Sequence, residues 1–565
     1  MQEFIFGALS TLSQRQAQDQ AQRRGVRHSH PMPPPPGQEL PITVTVALPY
    51  PISHVVCHLT HPTVADISLQ WTRTEWDLVN WQYRQIWQGT LPAFNEGVIV
   101  RYTIHAYPAQ GGVPVLASDE RSNADTVYAY QVGNAQPPEW SRTAIIYQVF
   151  PDRFAPGNGR DWNPVNSLSD IYGGTLRGII EKLDYIADLG FNCIWLNPFF
   201  PDETHHGYHA TDYFQVNPRL GTLDDIRELV TEAHHRGMRV LLDFVANHWG
   251  SGHATFQSAR SDPHSPYVSW YRWKEWPHEY ETFFGVKDLP QVNVADPGAR
   301  GYLLQAARYW LTDIPFDGYR LDYAHGPSHD FWVEFRATVK AANPDAWIFG
   351  EIIESPTLLL TYGGRLDGCL DFLLLQALRD TFAFQAMSLA QFDSFLMQHE
   401  AFFPPSFSRP SFLDNHDMNR FLWLARGDIR KLKLAALCQF TLAGPPIVYY
   451  GTEAGLSQNQ DLQHPDGRVV MEESRLPMLW GEAQNQELLA FYRWLIHFRR
   501  QHPALAYGAR QTVYLDEAVY AYTRADQTET ILVTLNRSDQ PHQMTLFDQH
   551  ISLEPWAGDL RVLNV

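Results

Sequence analysis

The sequence predicts an α/β protein built on a (β/α)8 TIM barrel, with an insertion after the third strand, an N-terminal β-sandwich and a small C-terminal antiparallel β domain. Three observations carry that expectation. Short apolar runs alternate with helix-period segments over residues 143–451, alternating strands precede that stretch, and a β pattern returns after it. At 565 residues the chain is too long for one compact core, so several domains are expected.

Residues 1–38 hold a Gln/Arg-rich stretch and then "PMPPPPG", which reads as a short helix followed by a stiff linker. Residues 39–133 read as the sandwich. "ITVTVAL" alternates from Ile42 to Leu48, and "VIVRYTIHAY" puts Val100, Tyr102, Ile104 and Ala106 on one face. Its Trp71, Trp76, Trp81 and Trp87 could stack on sugars, but sandwich cores also use Trp, and core is the preferred reading. "NAQPPEW" (Asn134–Trp140) marks the boundary.

The barrel is expected over 141–502. "AIIYQVF" is a continuous apolar run, as a strand buried on both faces requires. "TLRGIIEKLDYIADLG" then places Ile179, Ile180, Leu183 and Ile186 at helical spacing and stops at Gly190. Later, "TLDDIRELVTEAHHRG" opens with Thr222 and Asp225 at capping-box positions and stops at Gly237. The strand candidates after the first are "CIWLNPF", "RVLLDFVANH", "FDGYRLD", "AWIFGE", "LDGCLDF", "PSFLDNHD" and "PIVYYG". Residues 249–294 interrupt the βα rhythm. An insertion that long is a small subdomain or a functional loop, and it leaves the barrel on the face where such folds place their sites. From 503 to 565 the pattern is β again.

The formal charge of −19 opposes nucleic acid and anionic membranes as partners, because the electrostatic term has the wrong sign. A neutral ligand fits better. Cys57, Cys193, Cys369 and Cys438 form no CxxC pair and read as buried thiols rather than zinc ligands or disulfides. The start of the chain has no signal-peptide pattern, and no apolar run reaches membrane-spanning length, so a cytoplasmic protein is expected.

The strand ends hold the chemistry. The third offers Asp243, Asn247 and His248; the fourth, Arg320 and Asp322; the fifth, Glu351; the seventh, His416 and Asp417. Arg320 and Asp322 are two apart, so a strand aims both at one side, ~6.6 Å apart along the backbone. The fourth and fifth strands are neighbours at ~4.8 Å, which brings Asp322 and Glu351 to a separation compatible with the ~5–5.5 Å of a retaining glycosidase pair. Arg320 is expected to keep Asp322 ionised as nucleophile. Apolar "WIF" and the facing anion are expected to raise Glu351 into a general acid. Asp417, His248 and His416 would bind ring hydroxyls, with Tyr208 as aromatic floor. Asp243 reads as an orienting residue, and His205, His206 and His209 as rim or structural imidazoles.

These motifs also carry a resemblance. "DFVANH", "GYRLD", "FGE" and "FLDNHD" resemble, in order and spacing, the four signature regions of the α-amylase superfamily, glycoside hydrolase family 13; "GYHATDY", "YGG" and "GPPIVYYGTE" add to it. The resemblance implies Asp322 as nucleophile, Glu351 as acid/base and Asp417 as transition-state stabiliser, with Arg320, His248, His416 and Tyr208 lining the subsite of the attacked glucose. The insertion resembles the family's domain B. A sandwich before the barrel resembles the neopullulanase, cyclomaltodextrinase and maltogenic amylase branch. Three departures lie where leaving-group sugars bind: Ile353 where that branch has Trp, "LPQVN" (Leu289–Asn293), and His325 with Gly326 after the nucleophile. His325 is therefore a substrate-side candidate. The branch's calcium loop is degraded: "DRFAPGNGRDW" offers Asn158 and Asp161, and Thr175 replaces an acid. Calcium takes six to eight oxygens, so that loop is expected not to bind it; Asn247 offers an oxygen to a different calcium position.

The reading is a retaining hydrolase of α-1,4-linked glucans, with α-1,6 branches as a second linkage class. It needs no cofactor, and the N-terminal domain offers a homodimer contact. Transfer to an acceptor sugar or isomerisation is the alternative. A glucan-binding protein without catalysis is disfavoured, because all three carboxylates are present.

Overall fold

The computed structural model describes residues 16–17, 19–21, 23–119, 126–133 and 135–563; the helix expected near the N-terminus falls largely outside them. A continuous parallel sheet forms the barrel wall, from Gly368–Cys369 through Trp347–Gly350, Gly318–Asp322, Arg239–Val245, Cys193–Leu196 and Ile146–Val149 to Ile447–Tyr449. The remaining stave, 408–412, closes the ring through parallel bridges Gly368↔Ser408 and Ser411↔Pro446. All strands but one are buried along their whole length, and that one, Arg239–Val245, is exposed only at its first residue. This is why they read as unbroken apolar runs.

The helices follow their sequence signals with one difference. Thr222 and Asp225 form the capping box of Leu223–His235. The segment expected as one helix breaks at Lys182 into Leu176–Glu181 and Leu183–Leu189, ending at Gly190 with φ 102°. The insertion holds the helix Ala254–Ser261 and the hairpin Trp273–Glu275/Glu279–Tyr280; the bridge His248↔Gln291 ties it to the barrel, and Tyr271↔Val292 bridges within it. Trp249, Phe256, Trp270 and Tyr271 give it an aromatic core continuous with that of the barrel.

Before the barrel lie antiparallel strands from Leu40–Ala47 to Tyr128–Gln131, and Val100, Tyr102, Ile104 and Ala106 are fully buried among them. The tryptophan reading is corrected. Only Trp87 is buried, while Trp71, Trp76 and Trp81 are 59, 41 and 74% exposed. Alternation along a strand says that two faces differ, but not which one is wet. The linker reading changes as well. Gly25–Arg27 pairs with Leu40–Ala47, and the proline stretch lies on the barrel. Arg365 Nη2 donates to Pro31 O at 3.1 Å and to Ala129 O at 2.7 Å, and a Cβ on Gly364 would meet Pro33 at 2.3 Å.

After the barrel, Ala509–Leu515, Val519–Ala525, Thr530–Asn536 and Gly558–Leu563 form an antiparallel sheet beside the hairpin His542–Leu546/Gln549–Leu553. All four cysteines are buried free thiols. No helix among the described residues is long and apolar enough to cross a membrane.

Candidate active site

Strand register builds the site. Asp243 pairs with Arg320, Val245 with Asp322 and Leu321 with Gly350. Glu351 N–H donates to Leu321 O at 2.9 Å, which carries the ladder one step further and sets Glu351 beside Asp322.

Arg320 lies beneath them. Its Nη1 donates to Asp243 Oδ1 and Asp322 Oδ1, each at 2.8 Å, and its Nη2 is 2.8 Å from Glu351 Oε2. The side chains of Arg320 and Asp243 are fully buried, whereas those of Asp322, Glu351 and Asp417 keep 9, 11 and 15% exposure. The three carboxylates therefore face outward over a buried cation.

Burial pushes both Asp322 and Glu351 above the ordinary carboxylate range. Arg320 pulls each back, and neighbouring carboxylates, Asp417 at Glu351 and Glu351 with Asp243 at Asp322, add to the rise. The expectation for Glu351 holds in direction. At Asp322 burial raises the pKa and Arg320, shared with Asp243 and Glu351, lowers it.

Asp417 sits in the opposite balance. Burial would raise it, but a hydrogen bond from His416 and the charges of Arg475 and Arg320 hold it well below the usual range. Arg475 Nη2 donates to Asp417 Oδ1 at 2.8 Å, and His416 Nε2 lies 2.9 Å from Oδ2. Gln148 Nε2 donates to His416 Nδ1 at 2.9 Å, which leaves Nε2 as the nitrogen that donates to its neighbours.

Tyr208 links the two halves. Its hydroxyl donates to Asp243 Oδ2 and accepts from Asn197 Nδ2, both at 2.8 Å, and it accepts from His416 Nε2 at 2.7 Å. Its ring stacks on His416 at 5.3 Å. A hydrogen-bonded chain thus runs from Asp417 through His416, Tyr208 and Asp243 to Arg320 and the carboxylate pair.

The other candidates lie around this chain. His248 stacks on Phe283 at 4.2 Å, and burial pushes its pKa down to about 3. The ring is neutral, and because Nδ1 accepts from Asn247 Nδ2 at 3.2 Å, Nε2 is its donor. Asn247 Oδ1 in turn accepts from Gln291 Nε2 at 3.2 Å. Next to it, Gly326 is required by space, since a Cβ there would lie 1.9 Å from Asn247 Oδ1. The His325 ring lies 6.2 Å from that of Tyr323. Ile353 packs against the barrel interior. His205 and His206 are less peripheral than a rim position implies: their rings meet edge-on at 5.3 Å, and burial pushes His205 down to about 2 and His206 well below its usual value.

The sequence reading missed Gln148, Asn197, Arg475 and Tyr323. Tyr323 has φ 36°, a left-handed conformation that costs a side-chain-bearing residue roughly 1–2 kcal/mol. In that conformation its N–H donates to Glu351 Oε2 at 3.1 Å. Its ring meets Phe283 at 4.9 Å and Phe284 at 5.3 Å, so the insertion and the turn after Asp322 form one aromatic wall.

The loop 152–175 spends its polar groups on its own backbone and on the helix that follows. Arg160 Nη2 donates to Pro156 O at 2.7 Å, and Thr175 Oγ1 donates to the same carbonyl at 2.7 Å. Thr175 also caps Gly178 N, and Asn158 N–H donates to Glu181 Oε1. A cavity of about 620 Å³ lies elsewhere, between the barrel and the C-terminal sheet, lined by residues such as His399, Arg409 and Tyr507. Its lining contains none of the strand-tip groups, and the chemistry rather than the volume locates the site.

Three outward carboxylates over a buried guanidinium at barrel strand tips define a glycoside hydrolase. The chain belongs to the α-amylase family: the profile described as "Alpha amylase, catalytic domain" matches residues 148–486. It is 37% identical to alpha-amylase 2 of Dictyoglomus thermophilum, over 84% of this chain and 81% of that protein. It is also 37% identical to a cyclomaltodextrinase of a Bacillus species, over 75 and 78% of the two chains. The solved cyclic α-maltosyl-(1→6)-maltose hydrolase of Arthrobacter globiformis is similar with a TM-score of 0.70 at 31% identity, covering 76% of this chain and 100% of that one. Further relatives carry the names neopullulanase, maltogenic amylase and intracellular maltogenic amylase, which supports the branch expected from the sequence.

Proposed function

We propose that this chain is a retaining α-glucan hydrolase that cleaves α-1,4 glucosidic bonds in malto-oligosaccharides, cyclodextrins or starch-like glucans, with α-1,6 bonds as a second linkage. The observation that carries the reading is the single guanidinium shared by Asp322 and Glu351 on adjacent strand tips. In the reactive form the proton sits on Glu351. Asp322 attacks the anomeric carbon as Glu351 protonates the leaving oxygen, so the bond to the leaving sugar breaks as the Asp322 ester forms and the negative charge passes from Asp322 to Glu351. Glu351, now a carboxylate, takes a proton from water, and the water oxygen displaces Asp322. Asp417, held ionised, accepts hydrogen bonds from ring hydroxyls. No cofactor enters these steps. The name of the Arthrobacter relative supports the second linkage, and that of the intracellular relative supports a cytoplasmic location. A homodimer through the N-terminal sheet domain completes the reading, to be checked by sedimentation.

Transfer to an acceptor sugar is the second reading, favoured by the wall of Phe283, Phe284 and Tyr323, which offers an acceptor ring a stacking surface and leaves less room for water. A time course on maltotriose, pullulan, starch and cyclodextrin tests both. Shorter products support hydrolysis, products longer than the substrate support transfer, and no released reducing ends from any of the four would refute the glucan-cleaving assignment.

A further inference from the structure

The joint between the N-terminal region and the barrel holds a side-chain cluster that the active site does not use. His30 precedes the proline stretch docked on the barrel, Asp119 belongs to the sheet domain, and His329 opens the barrel helix His329–Ala342. Their exposures are 5, 2 and 1%. Each offers one ligating atom, and the three atoms lie within 4.8 Å of one another. His30 Nε2 is 3.2 Å from Asp119 Oδ2, and the two imidazoles stack at 4.0 Å with 8° between their planes. His329 Nε2 pairs with Thr361 Oγ1 at 2.8 Å, so Nδ1 is the atom through which it would ligate.

We infer that His30, Asp119 and His329 form a zinc site that staples the N-terminal segment and the sheet domain to the barrel. Two imidazoles and a carboxylate match a borderline divalent ion, whereas calcium and magnesium prefer oxygen-only shells. Zinc binds such donors at about 2.0–2.2 Å, so loading draws the three atoms together and tilts the stacked rings out of parallel. A water completes the tetrahedron. Tyr128 packs beside His30 at 4.9 Å and Tyr362 beside His329 at 4.4 Å. The ligands come from three separate segments, with Asp119 89 positions after His30, which is why spacing in the sequence did not show the group. Without an ion, the joint is held by contacts such as Arg101 Nε to Asp330 Oδ1 at 2.5 Å and Nη2 to Glu334 Oε2 at 2.9 Å. The staple adds stability to that joint and leaves the chemistry at Asp322 alone.

The test strips the full-length chain with chelator and titrates it with zinc alone, reading bound metal by mass spectrometry and the melting midpoint by calorimetry. One equivalent is expected, with the midpoint raised by about 3 °C at 100 times Kd. His30→Gln and His329→Gln each abolish the bound equivalent and the shift while kcat on maltotriose stays unchanged. Either variant alone suffices should the other fail to fold. Wild-type protein that retains no zinc, or an equivalent that persists in the variants, overturns the proposal.

Discussion

Asp322 and Glu351 share Arg320 with Asp243, whereas Asp417 has His416 and a second arginine, Arg475, which it shares with Glu472. Both regions are buried, carboxylate-rich and joined by the same hydrogen-bonded chain. They differ in the number of donors and cations available to each acid. Where one cation is shared by three acids, burial raises the pair; where a second arginine and a histidine stand beside the acid, its pKa is lowered. The arrangement of cations, rather than the mere presence of arginine, thus gives the two halves of the site opposite shifts.

The comparison is broken most severely by removing the reacting groups. Asp322→Asn and Glu351→Gln are each expected to lower kcat on maltotriose by at least ~10³-fold, and near-wild-type turnover in either would separate the pair from the chemistry. Next, Arg475→Met removes the cation that Asp417 shares with Glu472. It is expected to lower kcat by ~10-fold to 10²-fold and to move the acid limb of the pH–rate profile upward, since the Asp417 pKa rises when Arg475 is gone. An unmoved acid limb would show that Arg475 does not govern that ionisation.

Stability gives opposite signs for the two halves. Asp322 and Glu351 have folded pKa values raised above their unfolded ones, so their contribution is present at low pH and lost as pH rises through the folded values. Asp417 has a depressed value, so its contribution is present at neutral pH and lost as pH falls through the folded value. Glu351→Gln is therefore expected to raise the melting midpoint at pH 7 by about 2 °C, and Asp417→Asn to lower it by about as much. Shifts of the same sign in both variants would remove the electrostatic distinction.

The smallest effect concerns the buried imidazoles. His205 and His248, pushed down to about 2 and about 3, stay neutral in the fold while their unfolded forms protonate below about pH 6.5. The unfolded chain then binds more protons, and stability falls as pH drops from 6.5 towards 3. His248→Gln should flatten that decline in calorimetric scans, and an unchanged slope would mean that His248 carries none of it.

Much of this was legible in the sequence because barrel strands are buried on both sides. Their apolar runs and two-residue period fix which residues reach one face, and neighbouring strands bring Asp322 and Glu351 together without knowledge of any loop. Arg475 was not legible, because it comes from an irregular stretch after the last strand, 58 residues from its partner. The left-handed turn at Tyr323 was hidden as well, since only the surrounding fold makes such a conformation tolerable there. Trp71 and Trp76 misled for a different reason: in a half-exposed sheet the pattern is symmetric under exchange of its faces, while Trp81 falls in the turn between two strands. The three-residue strand Gly25–Arg27 was too short to stand out before a run of prolines.

The stereochemical outcome tests the pairing of Asp322 with Glu351 most directly. Proton NMR of maltotriose hydrolysis, read in the first minutes before mutarotation, should show the α-anomer accumulating at the newly formed reducing end. Initial release of the β-anomer would mean that water, not Asp322, meets the anomeric carbon first, and the two-step scheme would be wrong.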